Sequence, residues 1–226
     1  MTDIPKRPFV YDPPTDPPYQ IIHQTKDYLV LNKPAGLLSV PGRLSEFKDS
    51  LANRVQKDFP SATVVHRLDL ATSGIIIMPL NREMHAHLGR QFEQRTVSKA
   101  YIADVWGQPN LNRGYIEAPM IVDWPNRPRQ VVDFENGKPA ITKYRIMERN
   151  YDHCRLLLKP VTGRTHQLRV HMQYIGNPIL GDELYAPDAA YNNFERLHLH
   201  AAKIMFKDLS GNIMKFSVLP DFQLNG

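Results

Sequence analysis

The chain has 226 residues, which is enough to bury a sizeable hydrophobic core as one large domain or two small ones. Its 28 basic and 23 acidic residues give a net charge of +5, which favours polyanionic partners, although an ordinary solvated surface also accounts for it. The one cysteine, Cys154, excludes an intramolecular disulfide. No signal peptide and no apolar run of membrane-spanning length is found. We therefore expect a cytoplasmic protein that makes no membrane contact.

Proline dominates the start of the chain, with six prolines in the first 18 residues. Such a composition favours an extended segment over a packed element, so residues 1–20 are predicted to form a Pro-rich extension. The remainder shows no interior linker, and residues 21–226 are predicted to form one domain. We expect the protein to be a monomer.

Apolar runs and alternating patterns, bounded by turn-forming residues, predict that strands dominate the rest of the chain. Two helices are predicted at 50–58 and 82–94, because their apolar residues recur at helical spacing. The predicted strands are 28–32, 64–66, 74–78, 100–106, 116–121, 131–134, 141–148, 154–160, 198–206 and 212–217.

A third helix is predicted between Thr165, a suitable N-cap, and Gly176, a residue that commonly follows a helix end. Its apolar stripe places Arg169 and His166 on the flank of the helix. The stripe consists of Leu168, Met172 and Ile175. A strand-rich order without a repeating βα unit predicts an α+β fold, with a largely antiparallel or mixed central sheet and flanking helices.

One loop concentrates the candidate chemistry. Asp69 follows Arg67 by two residues, in a polar turn between the apolar runs at 64–66 and 74–78. Rigid strands on both sides would hold a loop carboxylate in a fixed position. A simpler interpretation is that Asp69 only hydrogen-bonds the backbone of its own turn, which is a common role of aspartate.

The residues around Asp69 favour the functional interpretation. His66-Arg67-Leu68-Asp69, followed by Thr72-Ser73-Gly74, resembles the active-site motif of the RluA family of RNA pseudouridine synthases. Residues 123–128 (DWPNRP) further resemble family members that modify both transfer RNA and 23S ribosomal RNA. The other matching segments, in chain order, are 32–43 (NKPAGLLSVPGR), 99–101 (KAY), 137–140 (GKPA), 159–171 (KPVTGRTHQLRVH) and 176–182 (GNPILGD).

The resemblance implies the pseudouridine synthase catalytic fold, with the active site in a cleft across the sheet. It also implies an isomerase that acts on specific uridines in structured RNA. The transfer RNA anticodon stem-loop and 23S ribosomal RNA are the expected substrates and partners. Other family members carry a small basic RNA-binding domain at the N-terminal end, and this sequence leaves no room for one. We therefore expect RNA selection to rest on the catalytic domain itself.

The implied reaction breaks the bond between ribose and uracil nitrogen 1, turns the base, and joins the sugar to uracil carbon 5. No atom is gained or lost, so we expect no cofactor, metal or cosubstrate. By resemblance, Asp69 is the nucleophile or the anion that stabilises the sugar cation. Arg169 is implied as the partner that keeps Asp69 ionised, although an ordinary surface arginine on a helix is the simpler interpretation.

The remaining assignments also follow from the resemblance. Tyr101 is implied to stack on the uracil and to transfer a proton at carbon 5, whereas a half-buried strand tyrosine is the simpler interpretation. Leu168 would cover the other face of the base. Arg67 would fill the space left by the flipped uridine. The other predicted substrate-binding residues are His66, Thr72 and Arg164.

The nine histidines suggest a metal site, but the pattern argues against one. No His-Glu-x-x-His motif occurs and no cysteine pair assists, so no metal is expected. His198 and His200 alternate with leucines, which predicts a solvent-facing side of a strand. Two other functions stay open: an RNA glycosylase that releases uracil, and a non-catalytic RNA-binding protein. A glycosylase usually needs two carboxylates, and the motif offers one.

Overall fold

The computed structural model describes residues 4, 7 and 10–224. The chain divides into two compact units. The Asp69 unit comprises Phe9–Lys99 and His200–Pro220, and the Arg169 unit comprises Met1–Pro8, Ala100–Leu199 and Asp221–Gly226. Within the described residues, none of the helices has the length and apolar composition needed to cross a membrane.

Strands outnumber helices along the described chain. The strands are β1 (Gln20–Gln24), β2 (Tyr28–Lys33), β3 (Ser73–Pro79), β4 (Ser98–Trp106), β5 (Arg113–Glu117), β6 (Met120–Val122), β7 (Gln130–Val132), β8 (Ile141–Arg149), β9 (His153–Pro160), β10 (Leu199–Lys207) and β11 (Ile213–Ser217). The α-helices are α1 (Leu51–Asp58), α2 (Arg82–Glu93), α3 (Gln167–Tyr174) and α4 (Asp188–Tyr191), with short 3-10 helices at Ser45–Phe47 and Trp124–Asn126.

In the Asp69 unit, β2 pairs antiparallel with β1 and β3, β3 pairs parallel with β10, and β10 pairs antiparallel with β11. Alternate residues of β2 and β3 enter two separate clusters. Val30 and Ile77 pack with α2 residues, whereas Leu31 and Met78 pack with α1 residues. Helices thus cover both faces, which explains why β3 is apolar along its whole length and buried at every position.

In the Arg169 unit, β4, β9, β8 and β5 follow one another in antiparallel pairs, and β6 and β7 form a separate hairpin. A cluster that includes Met120, Val170 and Tyr185 packs α3 against this hairpin. Antiparallel pairs predominate in the two units and β3–β10 is parallel. The predicted α+β fold with a largely antiparallel, mixed sheet and flanking helices is therefore confirmed.

Several predicted strands differ in extent from the observed ones. Residues 64–66 form no strand. The single strand predicted at 116–121 is divided into β5 and β6, because Pro119 has no N–H to donate to a sheet. Strand β7 ends before Asp133, whose carboxylate accepts the N–H groups of Glu135 and Asn136 at 2.9 and 2.8 Å and so forms a turn. Strand β1 was missed.

Residues 11–18 of the Pro-rich segment pack within the Asp69 unit, so the expectation of an unpacked extension is wrong there. Residues 10–19 contain no helix or strand. The Arg54 guanidinium nevertheless donates to the carbonyls of Pro14 and Pro18 at 2.6 and 3.0 Å. Tyr11 donates its hydroxyl to the carbonyl of Asp49 at 2.7 Å. Arg54, which is only 6% exposed, thus holds this segment in place although the segment forms no helix or strand.

Candidate active site

The Asp69 loop is fixed by side chains that contact its backbone on both sides of the aspartate. The Ser39 hydroxyl donates to the Leu68 carbonyl at 2.8 Å and accepts the Leu68 N–H at 3.1 Å. The Asp69 carbonyl accepts the N–H of Thr72 at 3.2 Å, which closes a turn. Asp69 itself is partly exposed. The structure thus holds a carboxylate at the surface of a loop with a constrained backbone.

Lys33 anchors the far side of the same loop. Its ammonium is fully buried and donates to the carbonyls of Pro34, Leu37 and Leu70 at 2.8, 2.7 and 3.1 Å. A buried ammonium is costly unless oxygen atoms surround it, and these carbonyls compensate that cost. Sequence reasoning gave no role to Ser39 or Lys33, although both lie in the quoted segment 32–43.

The chain leaves the loop at position 74, which only glycine can occupy. Its φ of +108° lies in a region that other residues rarely adopt, and a Cβ atom there would lie 2.4 Å from the Ala201 carbonyl oxygen. The close approach allows β3 and β10 to pair directly after the loop. The position of the loop is therefore tied to the start of a buried strand.

His66 supports the loop by its ring. Its Nε2 atom accepts the N–H of Ile77 at 2.9 Å, and the ring stacks on Phe92 with centroids 4.6 Å apart. Burial and the nearby Lys99 ammonium lower the pKa of His66 to about 3, so the ring is neutral. Burial also lowers the pKa of Lys99. A neutral ring with an occupied Nε2 is suited to fixing the backbone next to Arg67.

The other predicted residues of this unit differ in exposure. The Arg67 side chain is exposed, as a residue that enters an RNA stack must be. Thr72 is only 2% exposed, and its hydroxyl has no hydrogen-bond partner among the described residues. Both predicted roles stay predictions.

Arg169 lies inside its unit rather than on the surface of α3. It is 3% exposed, and its Nε and Nη2 atoms donate to the two carboxylate oxygens of Asp182, each at 2.7 Å. Its guanidinium carbon lies 5.1 Å from the ring centre of Tyr185. The simpler interpretation, an ordinary surface arginine, is therefore wrong. Sequence reasoning missed Asp182 as a partner, although the residue closes the quoted segment 176–182.

The start of α3 also differs from the prediction. The N-cap is His166, in a left-handed conformation at φ 54°, and Thr165 does not cap the helix. No side chain of the described residues caps the helix. Gln167 instead fixes the loop before it, because its Oε1 accepts the Arg164 N–H at 3.0 Å and the Thr162 hydroxyl at 2.6 Å. The helix is buried from Gln167 to Met172, so Leu168 and Met172 are core residues as predicted, but the flank that carries Arg169 is buried as well. Gly176 follows the helix end at φ +81°, as predicted.

Three more predicted residues lie in the Arg169 unit. Tyr101 is partly exposed on β4, paired with Leu158 of β9. Leu168 is 6% exposed. Arg164 donates its Nε to the Pro139 carbonyl at 3.1 Å. Their predicted contacts with RNA stay predictions.

His198 and His200 are buried, so the solvent-facing side predicted for them is wrong. His198 is 8% exposed, and its Nδ1 lies 3.1 Å from the carboxylate of Asp104. His200 is 2% exposed, and its Nδ1 is hydrogen-bonded to the Ser73 hydroxyl at 2.8 Å. Among the residues that the structure describes, no group of three or more histidine, cysteine or acidic side chains is placed to hold a metal ion.

Comparison with known proteins supports the family resemblance seen in the sequence. A family model described as RNA pseudouridylate synthase matches residues 27–174. The dual-specificity RNA pseudouridine synthase RluA of Escherichia coli K12 is 49% identical over 214 residues, which cover 94% of this chain and 98% of that protein. The protein of the same name from Vibrio vulnificus is 48% identical over 202 residues, covering 87% of this chain and 80% of its own length.

Two solved human structures are also similar. RNA pseudouridylate synthase domain containing 1 is 28% identical, with a TM-score of 0.78, and the match covers 91% of this chain and 84% of that one. RNA pseudouridylate synthase domain containing 4 is 24% identical, with a TM-score of 0.74, and the match covers 89% of each chain. At this identity the match shows only that the two folds are similar.

Proposed function

The chain belongs to the RNA pseudouridylate synthase family, and from this premise we propose that it isomerises specific uridines in two RNAs, transfer RNA and 23S ribosomal RNA. The dual-specificity relatives support the breadth of this proposal. The anticodon stem-loop is the proposed target in transfer RNA. Uridines there are stacked, so the enzyme has to flip the base before it reaches the glycosidic bond.

The fixed Asp69 loop is the observation that carries the proposal. Ser39 and Lys33 hold the backbone on both sides of the aspartate, which fixes the point from which its carboxylate is presented. A nucleophile held in a productive geometry avoids the entropy loss of finding that geometry during the reaction. This supports a reacting carboxylate over one that only completes its own turn.

In the proposed reaction, Asp69 stabilises or captures the ribose carbon as the bond to uracil nitrogen 1 breaks. The uracil turns, and its carbon 5 bonds to the ribose carbon as that carbon is released from Asp69. The proton of carbon 5 is then lost to solvent, with Tyr101 as the proposed route, and nitrogen 1 takes up a proton. Arg169 is proposed to favour the ionised form of Asp69. Arg169 donates two hydrogen bonds at 2.7 Å to Asp182, and these fix the orientation of its guanidinium.

The remaining proposed roles concern RNA binding. Arg67 would fill the stack after the uridine leaves it, and Leu168 would cover one face of the uracil. Thr72 and Arg164 would contact the substrate, while His66 would hold the loop. The proposed residues are divided between the two units, so we propose that residues 21–226 act as one catalytic domain. We further propose a monomer that works in the cytoplasm, where its RNA substrates are.

A tritium-release assay tests the proposal. Transfer RNA anticodon stem-loops and 23S ribosomal RNA fragments, each labelled with tritium on uracil carbon 5, are incubated with the protein. We expect tritium release and pseudouridine at defined positions, because uracil carbon 5 loses its hydrogen when it forms the bond to the ribose. Asp69→Asn preserves size but removes the charge, so its turnover should vanish while affinity stays within about tenfold. Release of free uracil would instead indicate a glycosylase.

A further inference from the structure

The turn between β6 and β7 is closed by hydrogen bonds and exposes five residues, 124–128. Its backbone is closed by hydrogen bonds from Asp123 N–H to the Arg129 carbonyl at 3.0 Å and from Arg129 N–H to the Asn126 carbonyl at 3.0 Å. The Asn126 amide also donates to the Asp123 carboxylate at 2.9 Å. Side chains on this turn are therefore presented from a fixed backbone.

The turn exposes a tryptophan next to an arginine. The Trp124 side chain is 65% exposed, and the guanidinium carbon of Arg127 lies 4.5 Å from the centre of its ring. The Asp123 carboxylate accepts a hydrogen bond from the Asn126 amide and keeps its negative charge, so Arg127 and Arg129 leave the turn with a net positive charge of one. An open aromatic face beside a guanidinium is the combination with which proteins bind single-stranded nucleic acid.

The hairpin is tied to the start of α3. The Gln130 N–H donates to the Tyr185 hydroxyl at 2.8 Å, and the same hydroxyl is hydrogen-bonded to Nδ1 of His166 at 2.8 Å. The Tyr185 ring in turn lies under the Arg169 guanidinium. A group that binds the turn therefore takes a defined position relative to the helix that carries Arg169.

We propose that Trp124 is a stacking platform for one unpaired base of the substrate RNA, and that Arg127 supports it beside the neighbouring phosphate. This inference rests on the proposed function and adds a residue that selects among RNAs. The positive charge of Arg127 and Arg129 favours RNA over a protein partner as the occupant. An RNA whose loop cannot place a base on the indole should bind less tightly.

An abasic scan tests the inference. Each loop nucleotide of a transfer RNA anticodon stem-loop is replaced in turn by an abasic one, and affinity is measured for the wild type and for Trp124→Ala. With the wild type, we expect one position to lose affinity by roughly 5- to 100-fold, as loss of one stacked base implies. With Trp124→Ala the penalty at that position should fall to within about twofold, since the partner is already absent.

Two variants serve as controls. Trp124→Phe keeps an aromatic face and should retain most of the penalty. Tyr115→Ala removes an aromatic side chain that is 66% exposed near Lys143, but on β5 rather than on the hairpin, and it should leave the abasic profile unchanged. RNA should also quench the fluorescence of Trp124, a signal that Trp124→Phe should lose while Trp106 remains.

The outcomes separate the two proposals. If the wild type forms pseudouridine and every abasic penalty is the same in Trp124→Ala, the platform is disproved and the proposed function stands. If the wild type modifies neither RNA, the proposed function fails. A Trp124→Ala variant that binds all loops as well as the wild type, and is instead defective in binding a protein, would indicate a protein partner and overturn the inference.

Discussion

Ser39 holds Leu68 by both of its backbone groups, with the hydroxyl donating to the carbonyl at 2.8 Å and accepting the N–H at 3.1 Å. Both residues are buried, and Leu68 directly precedes Asp69. A single hydroxyl thus satisfies two backbone groups that would otherwise lack partners in the protein interior. The position of the proposed nucleophile depends on this contact.

Ser39→Ala should therefore slow catalysis beyond its effect on stability. Two buried backbone groups lose their partner, which costs about 1–3 kcal/mol for each group, and the Asp69 loop gains freedom. A displacement of about 1 Å can reduce a rate about 100-fold, so we expect a fall in the single-turnover rate at saturating RNA. Ser50→Ala removes the N-cap of α1 and is the control for destabilisation alone: we expect it to cost about 0.5–2 kcal/mol and to leave the rate unchanged. Equal rates for the two variants would contradict the positioning role.

Arg169→Met should abolish most activity near neutral pH. It also leaves the buried Asp182 without its guanidinium, which costs about 3–5 kcal/mol of folding free energy. Arg155→Met is the matched control, because Arg155 forms an equivalent two-bond pair with the buried Asp104 at 2.7 and 2.9 Å. Denaturant unfolding should show comparable destabilisation for both variants. The single-turnover rate of folded protein should fall only for Arg169→Met.

Arg164→Met provides a second comparison within the predicted site. Arg164 lies on the surface side of the α3 start, and its proposed role is RNA contact. We expect weaker RNA binding with little change in the single-turnover rate at saturating RNA, the reverse of Arg169→Met. Small and equal effects of Arg164→Met and Arg169→Met on binding and rate would contradict both roles.

Arg67→Ala and Tyr101→Phe should give different signatures on two substrates. If Arg67 fills the stack, Arg67→Ala should impair a structured stem-loop far more than a short single-stranded oligonucleotide, which has little stacking to lose. Tyr101→Phe keeps the ring and removes the hydroxyl, so it should spare binding of both RNAs and slow the proton transfer. An Arg67→Ala defect that is equal on both RNAs would mean that Arg67 only contacts phosphate.

His66 should make stability depend on pH below neutrality. Its pKa is about 3 in the folded protein, against an ordinary 6.5, because of burial and Lys99. Above pH 6.5 the ring is neutral whether the chain is folded or unfolded. As pH falls from 6.5 towards 3, only the unfolded chain takes up the proton, so stability is lost at up to about 1.4 kcal/mol per pH unit. His66→Gln should remove this contribution, measured as the difference between urea unfolding free energies at pH 7 and pH 5. Parallel pH profiles for the two proteins would show the assignment to be wrong.

The sequence by itself determined the elements whose signals are local. The helical spacing around Met84 and Leu88 predicted α2 correctly, Ser50 caps α1, and Gly176 follows the end of α3. The apolar run of β3 also predicted a strand correctly, because burial on both faces requires apolar residues at every position. The motif around Asp69 identified the family because its residues are contiguous.

The tertiary structure alone decided contacts between distant residues. The described pairing of β3 with β10 ends at Gly74. Further along β3, the Ile77 N–H is therefore bonded by the His66 ring, not by a strand at 64–66. Arg169 is buried because Asp182, 13 residues away, compensates its charge. Amphipathic spacing could not predict this, since burial of a charge depends on a partner outside the helix. For the same reason, no pattern along the chain showed that Ser39 and Lys33, about 30 residues before Asp69, hold its loop.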